Sequence, residues 1–443
     1  MNVAEPSAAR GTVTPARAWG ALTLLSALYI VSFVDRLILA LLIEPIKVDL
    51  GITDVQMGLL IGTSFALVFS IAGLPLARLA DTGNRTMLIF IGAVAWGVST
   101  AAAAFADSFA MLLVLRIGVA VGEAALTPAA MSLLSDMFPP AKRALPISIY
   151  VMVGVCGGSG AMLVGAAAIQ AAGAMQGDIG LLGSLSAWRL TLLFVGLPAV
   201  VLALFIPFVI GRVPRGGVVD APKASIGDVV DHYRANGRTY TGFYVVTGLV
   251  SAVNFSILAW FPTHLIRSYG LSATSAGYAF GIAGVLASLA GGLLLPFISR
   301  RLAARGRADA PLTIAMFVAL LSTPLLVLAL LAPTAEIAMA AVIVPLVLQM
   351  GLGILMAATA PLLAPASVRA QVVATYYLVL TLVGLGAGPT LVAWIAEHVA
   401  FAGGSVAVAL ATITLLFAPV QVLAVLRSRA AFARTYDIAN AVG

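Results

Sequence analysis

Long apolar runs separated by short polar breaks fill most of the 443 residues. Twelve runs, at about 19–44, 55–77, 86–106, 109–133, 145–169, 189–211, 240–266, 273–298, 311–332, 337–360, 370–396 and 404–426, are long enough to cross a hydrocarbon layer roughly 30 Å thick. The pattern predicts an all-α membrane protein. Residues 1–18, with Pro6, Pro15 and small side chains, read as a disordered cytoplasmic tail. The run that follows is too long for a cleaved signal peptide, so the first helix is expected to stay as an anchor. The expected division is an N-terminal six-helix bundle over 19–211, a cytoplasmic linker over 212–239, a second bundle over 240–426 and a cytoplasmic tail over 427–443.

Composition agrees: 62% of residues are hydrophobic and 9% charged, with a mean hydropathy of +1.10. No soluble core of this length is so apolar. The formal net charge of +7 suggests nucleic acid until its placement is read. With the N-terminus inside, 19 of the 24 Lys and Arg fall in inner segments and 3 (Lys47, Arg189 and Arg267) at outer ends. That bias marks topology, with both termini cytoplasmic in a cell membrane, and leaves no nucleic-acid partner to infer. The remaining two, Arg36 and Arg116, lie within the apolar runs. Cys156 is the only cysteine, and the three histidines (His232, His264 and His398) are too scattered for a metal triad. With no nucleophile elbow and no phosphate loop, neither an enzyme nor a cofactor is expected, and no metal.

The linker divides the chain in half, and the halves repeat. Gly51, Gly58 and Gly62 recur as Gly270, Gly277 and Gly281 at a shift of 219 residues. Arg143, Tyr150, Gly158 and Gly160 meet Arg369, Tyr376, Gly384 and Gly386 at a shift of 226. Six helices separate equivalent points, so the copies share orientation: two parallel six-helix bundles.

Local motifs agree with a transporter built this way. The loop GLPLARLADTGNRT, with Asp81 and Arg85, resembles the loop signature of the major facilitator superfamily, departing from it at Ala77, Thr82, Asn84 and Thr86. RIGVAVGEAALTPA, with Arg116 and Gly122, is similar to that superfamily's Arg-plus-glycine helix, and GVCGGSGAMLVG to its glycine-rich helix. With Asp35–Arg36, DLGITDVQMGLL, the tripeptide GEA at 122–124 and DMFPPAKRA, the nearest likeness is to the spinster-like branch, over residues 28–165. The resemblance implies lysolipids or sphingoid phosphates as substrates, with Asp35, Arg36 and Glu123 in coupling and substrate contact.

Those residues also stand out on physical grounds. An intramembrane charge costs about 2.5–3.5 kcal/mol on insertion scales. At 1.5 Å per residue, Asp35 lies roughly 24 Å from Trp19, and Arg116 about 10 Å below the outer boundary, which puts them at similar depth. Glu123 is two turns deeper on nearly the same face as Arg116. The four could merely lock two helices together. Groups at two depths favour a water-filled cavity instead, with Glu123 or Asp35 carrying protons, Glu123 preferred, and Arg36 and Arg116 holding an anionic group. The expected function is proton-coupled secondary transport of an amphipathic or anionic small molecule by alternating access, by a monomer in the lipid bilayer. A drug/proton antiporter, and outside transport a membrane receptor or scaffold, are the alternatives.

In the second half, Asn254, Gln349, Tyr376 and Tyr377 are the polar cavity candidates. Arg78, Asp81, Arg85, Asp136 and Arg143, at cytoplasmic helix ends, are expected to latch a gate in one state. Gly154, Gly158 and Gly160 are expected to permit close helix packing, and His264 to sit at the interface.

Overall fold

The computed structural model describes residues 14–177, 184–213, 225–399, 401 and 403–441. Residues 1–13 of the expected tail and 214–224 of the expected linker lie outside the described residues. The first half comprises α1 (Pro15–Leu41), a short α2 (Ile43–Leu50), α3 (Asp54–Thr82), α4 (Arg85–Ala103), α5 (Phe109–Met137), α6 (Ala144–Met175) and α7 (Ala187–Val209). A short α8 (Ile226–Ala235) precedes the second half: α9 (Gly237–Tyr269), α10 (Ala273–Ala303), α11 (Ala310–Leu330), α12 (Ala335–Leu363), α13 (Arg369–His398) and α14 (Val406–Ala441). All but α2 and α8 are candidate membrane spans.

Several boundaries differ from the hydrophobic pattern, and three bear on the fold. The run read as 19–44 starts helical at Pro15 and breaks at Leu42, whose φ is −106° and ψ 8°. Pro45 explains the break, because its ring opposes the carbonyl four residues back and it has no N–H to donate. The linker segment 212–239 contains α8, opened by a capping box between Ser225 and Asp228. The segment 427–443, read as a tail, continues α14 as far as Ala441.

The glycine repeat has a structural counterpart. Gly51 (φ 63°) ends α2 and Gly270 (φ 71°) ends α9, both in the left-handed conformation open to glycine. Two residues on, Thr53 and Ser272 cap the next helix by accepting from Gln56 N and Ser275 N. The later glycines of each copy lie between the halves. A Cβ on Gly62 would stand 2.7 Å from the Leu385 carbonyl of α13, and one on Gly281 2.7 Å from Leu163 of α6. Thus α3 packs on α13 as α10 packs on α6, the same contact made from opposite halves. Gly154 sits against the Tyr29 ring, whereas a Cβ on Gly158 or Gly160 would meet nothing within 4 Å. Close packing therefore accounts for the first of these three and not the others.

The halves are tied together at the face opposite the N-terminus, here the far face. Thr63 Oγ1 bonds the Gly386 carbonyl at 2.7 Å, Thr390 Oγ1 donates to the Gly58 carbonyl at 2.9 Å, and Val55 N donates to Glu397 Oε1 at 2.9 Å. Arg267 of α9 reaches Glu44 Oε1 at 2.7 Å and holds both oxygens of Asp54 at 2.7 Å. Lys47 pairs with Asp54 at 2.5 Å. His264, expected at the interface, is buried there: its Nδ1 faces Ser268 Oγ at 2.9 Å, and Phe261 and Tyr269 pack on its ring. At the N-terminal face Arg85 pairs with Asp136 and Tyr240 donates to the Leu363 carbonyl at 2.9 Å, each bond within its own half. The bundle is held shut at the far face.

Candidate functional site

The site grows from two successive residues of α1 that point in different directions, as neighbours on a helix must. Asp35, 1% exposed, turns into the first half. Its Oδ2 accepts from Thr100 Oγ1 of α4, and its Oδ1 from Arg116 Nη1 of α5 at 3.3 Å. Arg116 also donates to the carbonyls of Asp35 (3.1 Å), Arg36 (2.8 Å) and Leu60 (3.3 Å). One guanidinium thereby fastens α1, α3 and α5, and its planar fork suits the task. A cavity of about 20 Å³ beside Asp35 is lined only by first-half residues, among them Ser99, Thr100, Leu112 and Leu192.

Arg36 turns the other way. Its Nη2 donates to Glu123 Oε2 of α5 at 2.6 Å. Phe33, Phe65 and Phe69 surround its guanidinium, with ring centroids at 5.3, 4.8 and 5.3 Å. Cation–π attraction and the ion pair together hold a charge that the bilayer would otherwise exclude. The pair is incomplete: Arg36 Nε and Glu123 Oε1 are buried without a hydrogen-bond partner. Such groups are costly in a low-dielectric interior and ready to bind. The Arg36 side chain is 16% exposed and that of Glu123 1%, so Arg36 is the open member.

The expected constellation is thus partly assembled. Asp35 with Arg116 and Arg36 with Glu123 make two pairs across the α1–α5 interface. The structure corrects two placements: Asp35 faces the first-half interior rather than a central cavity, and Arg116, expected to hold substrate, is engaged with Asp35 and three carbonyls. The second-half candidates are dispersed. Gln349 is buried and donates to Ser322 Oγ of α11 at 3.0 Å, a bond within its own half. Tyr376 is buried against Phe243 and donates to the Gly353 carbonyl at 3.3 Å. Asn254 is half-buried, its Oδ1 without a partner. Tyr377 is 55% exposed and within electrostatic reach of Tyr29 on α1.

The expected latch is also redrawn. Asp136 pairs with Arg85, not with Arg143, and Arg85 also donates to Ser132 Oγ at 2.9 Å and to the Val213 carbonyl at 3.3 Å. These contacts close the first half on itself. Arg78 and Asp81 are exposed, and Arg143 Nε has no partner. Sequence reasoning missed Thr100, the phenylalanine cage and the far-face lock. A hydroxyl or ring on a helix carries no local mark of function, whereas the acids and bases clustered at 44–54 were a usable signal.

Two six-helix halves of like orientation, with ion pairs buried in one of them, define a secondary-transporter architecture. The chain belongs to the Major Facilitator Superfamily, whose family model matches residues 25–389. A "MFS-type efflux pump" of Mycolicibacterium smegmatis is 30% identical over 297 residues, 66% of this chain and 64% of that protein. A "Hexuronate transporter" of Bacillus subtilis is 24% identical over 62% of this chain and 64% of its own length, and "Protein spinster homolog 3" of Danio rerio 25% identical over 60% and 51%. The matched stretches span less than two thirds of these relatives. Among solved structures, a bacterial homologue of the human lysosomal transporter Spinster, described as inward-facing and unoccupied, superposes with a TM-score of 0.79 at 24% identity, covering 97% of this chain and 98% of that one. The spinster-like resemblance of the sequence therefore extends to the whole fold.

Proposed function

We propose that the protein is a proton-coupled secondary transporter of an amphipathic or anionic small molecule, of the lysolipid or sphingoid-phosphate type, working by alternating access. The observation that carries the reading is the Arg36–Glu123 pair with its two unpartnered atoms. An anionic headgroup offers Arg36 a better partner than the carboxylate it holds. Once displaced, Glu123 is a charge in an apolar site without a counter-ion, and taking up a proton is its stable response. Substrate and proton then bind together, which is the thermodynamic content of coupling. The Phe33–Phe65–Phe69 cage supplies the apolar wall against which an amphipathic tail lies.

Asp35 and Arg116 act behind this pair. They set the position of α1 against α3 and α5, and Asp35 is the second candidate for the proton. Alternating access needs the far-face ties to break and the N-terminal face to close. There Arg78, Asp81, Arg85, Asp136 and Arg143 supply the charges for a latch. The positive-charge bias supports cytoplasmic termini with the protein in the cell's boundary membrane, and on that reading the shut far face is external. Relatives named for hexuronate and for efflux frame the substrate: the first favours an anion, and the second keeps a drug/proton antiporter as the alternative.

The test is uptake into proteoliposomes under imposed pH gradients, comparing lysophosphatidate-type anions with cationic drugs. Anion-stimulated proton movement that disappears in Glu123→Gln while anion binding persists supports the assignment. Wild-type proton coupling in both Glu123→Gln and Asp35→Asn rejects it.

A further inference from the structure

On the flank of the second half, α11 and α14 leave between them an open apolar groove of about 470 Å³. Its origin is in the sequence. Pro324 and Pro419 stand on opposite walls, and each removes one helical hydrogen bond from its helix. Ala319 and Ala418 leave the depth, and Leu320, Leu415, Leu423 and Leu426 form the exposed rims.

The groove has the length of one leaflet. From Leu415 to Leu426 is eleven residues of helix, about 16 Å, and half of the hydrocarbon thickness is about 15 Å. It runs toward the N-terminal face and ends at basic side chains. Arg429, three residues beyond Leu426, continues the groove face, whereas Arg427, four beyond Leu423, stands about 160° from Arg429 around the helix and flanks the Leu423 rim; both are exposed. Gln421 Nε2 donates to the Ala315 carbonyl at 2.8 Å and sets the register of the two helices. At that register Arg429 stands level with the turn before α11, which carries Arg305 and Arg307. The acid nearby, Asp309, is engaged by Arg307 at 2.9 Å and by Thr313 Oγ1 at 2.9 Å. Four arginines against one aspartate leave a formal charge of +3 at the mouth. Topology alone accounts for positive charge at this face, but not for an apolar slot one leaflet long ending beneath it.

We propose that this groove binds one acyl chain of an anionic glycerophospholipid from the leaflet at the N-terminal face, its headgroup phosphate held by Arg427 and Arg429. The site lies in the half opposite Arg36 and Glu123 and uses none of the transport residues, so it stands or falls independently of the transport reading.

Native mass spectrometry of the full-length protein in detergent tests it, titrating phosphatidylglycerol, phosphatidylcholine and glycerol 3-phosphate. Phosphatidylglycerol is expected to be retained over phosphatidylcholine. The double variant Arg427→Gln/Arg429→Gln is expected to weaken retention about thirtyfold, from the typical gain per basic residue at an anionic surface. Ala418→Phe, which fills the groove, is expected to lose the lipid too. The arginines lie on the exposed stem, so the double variant reads the headgroup contact even where the core variant folds poorly. Undiminished retention by the double variant overturns the proposal. So does glycerol 3-phosphate competing as well as the lipid, or a dimer that Ala418→Phe dissociates, which would make the face a contact between copies.

Discussion

Arg267→Gln is the sharpest test of the far-face lock. Arg267 gives one N–H to Glu44 and a two-pronged grip to Asp54, all at 2.7 Å, and it comes from the second half while both acids belong to the first. The Asp54 side chain is 7% exposed, so its bonds are little screened; Glu44, at 34%, adds less. Charge-assisted hydrogen bonds contribute about 1.5–3 kcal/mol each, but Lys47 still partners Asp54 in the variant, which limits the net loss to about 2 kcal/mol. That is a roughly thirtyfold rise in the population open at the far face. The reporter is a cysteine at Ala66, which is fully buried and lies against Gly386 of α13, in a Cys156→Ser background. Its labelling rate by an impermeant thiol reagent from the far side is proportional to the open population, so it should rise about thirtyfold. An unchanged rate means that the Arg267 cluster carries none of the free energy of closure, and the reasoning fails.

Thr100→Val removes the hydroxyl that donates to the buried Asp35 while keeping its shape; a loss of about 2 kcal/mol is expected, read as a lower melting temperature, and an unaltered one contradicts it. Arg36→Lys keeps the charge facing Glu123 but gives up the planar contact with three phenylalanine rings, so anion affinity by calorimetry should fall about tenfold. At the N-terminal face, His232 Nε2 meets Tyr240 Oη at 2.6 Å, and burial holds its pKa below the usual value. Because the undocked imidazole binds protons more readily, α8 docking is intact at neutral pH and weakens as pH falls below about 6.5. Hydrogen exchange in α8 should quicken in that range, and His232→Gln should abolish the dependence.

Much of the architecture was legible in the chain because a bilayer admits few solutions. Backbone groups in hydrocarbon must be satisfied within each segment, so twelve apolar runs mean twelve helices. The duplication was legible because Gly51 and Gly270 occupy the same left-handed helix end, which tolerates little else. Boundaries were less so. The break at Leu42 required weighing Pro45 against an unbroken apolar run, and the length of α14 past residue 426 depends on the surfaces it lies on, such as Tyr240 and Thr239 beside Phe432 and Thr435.

The two acids and two arginines were conspicuous by themselves, since a charge in an apolar run is expensive wherever it lies. Which acid meets which arginine was not legible, because depth sets Arg116 level with both residues of the Asp35–Arg36 pair and Glu123 two turns deeper. What only the tertiary structure decided was which way each one faced. The 100° between Asp35 and Arg36 sends the first to Thr100 and Arg116 inside the first half, and the second to Glu123 and the phenylalanine cage. Periodicity fixes the angle between neighbours but not the rotation of a helix within its bundle. That rotation is set by packing: Gly154 and Gly157 of α6 against Tyr29 and Phe33 on the same helix as the pair. The far-face lock is of the same kind. Arg267 is 223 residues from Glu44 and 213 from Asp54 in the chain, and only the closure of two halves brings it within hydrogen-bond reach of them.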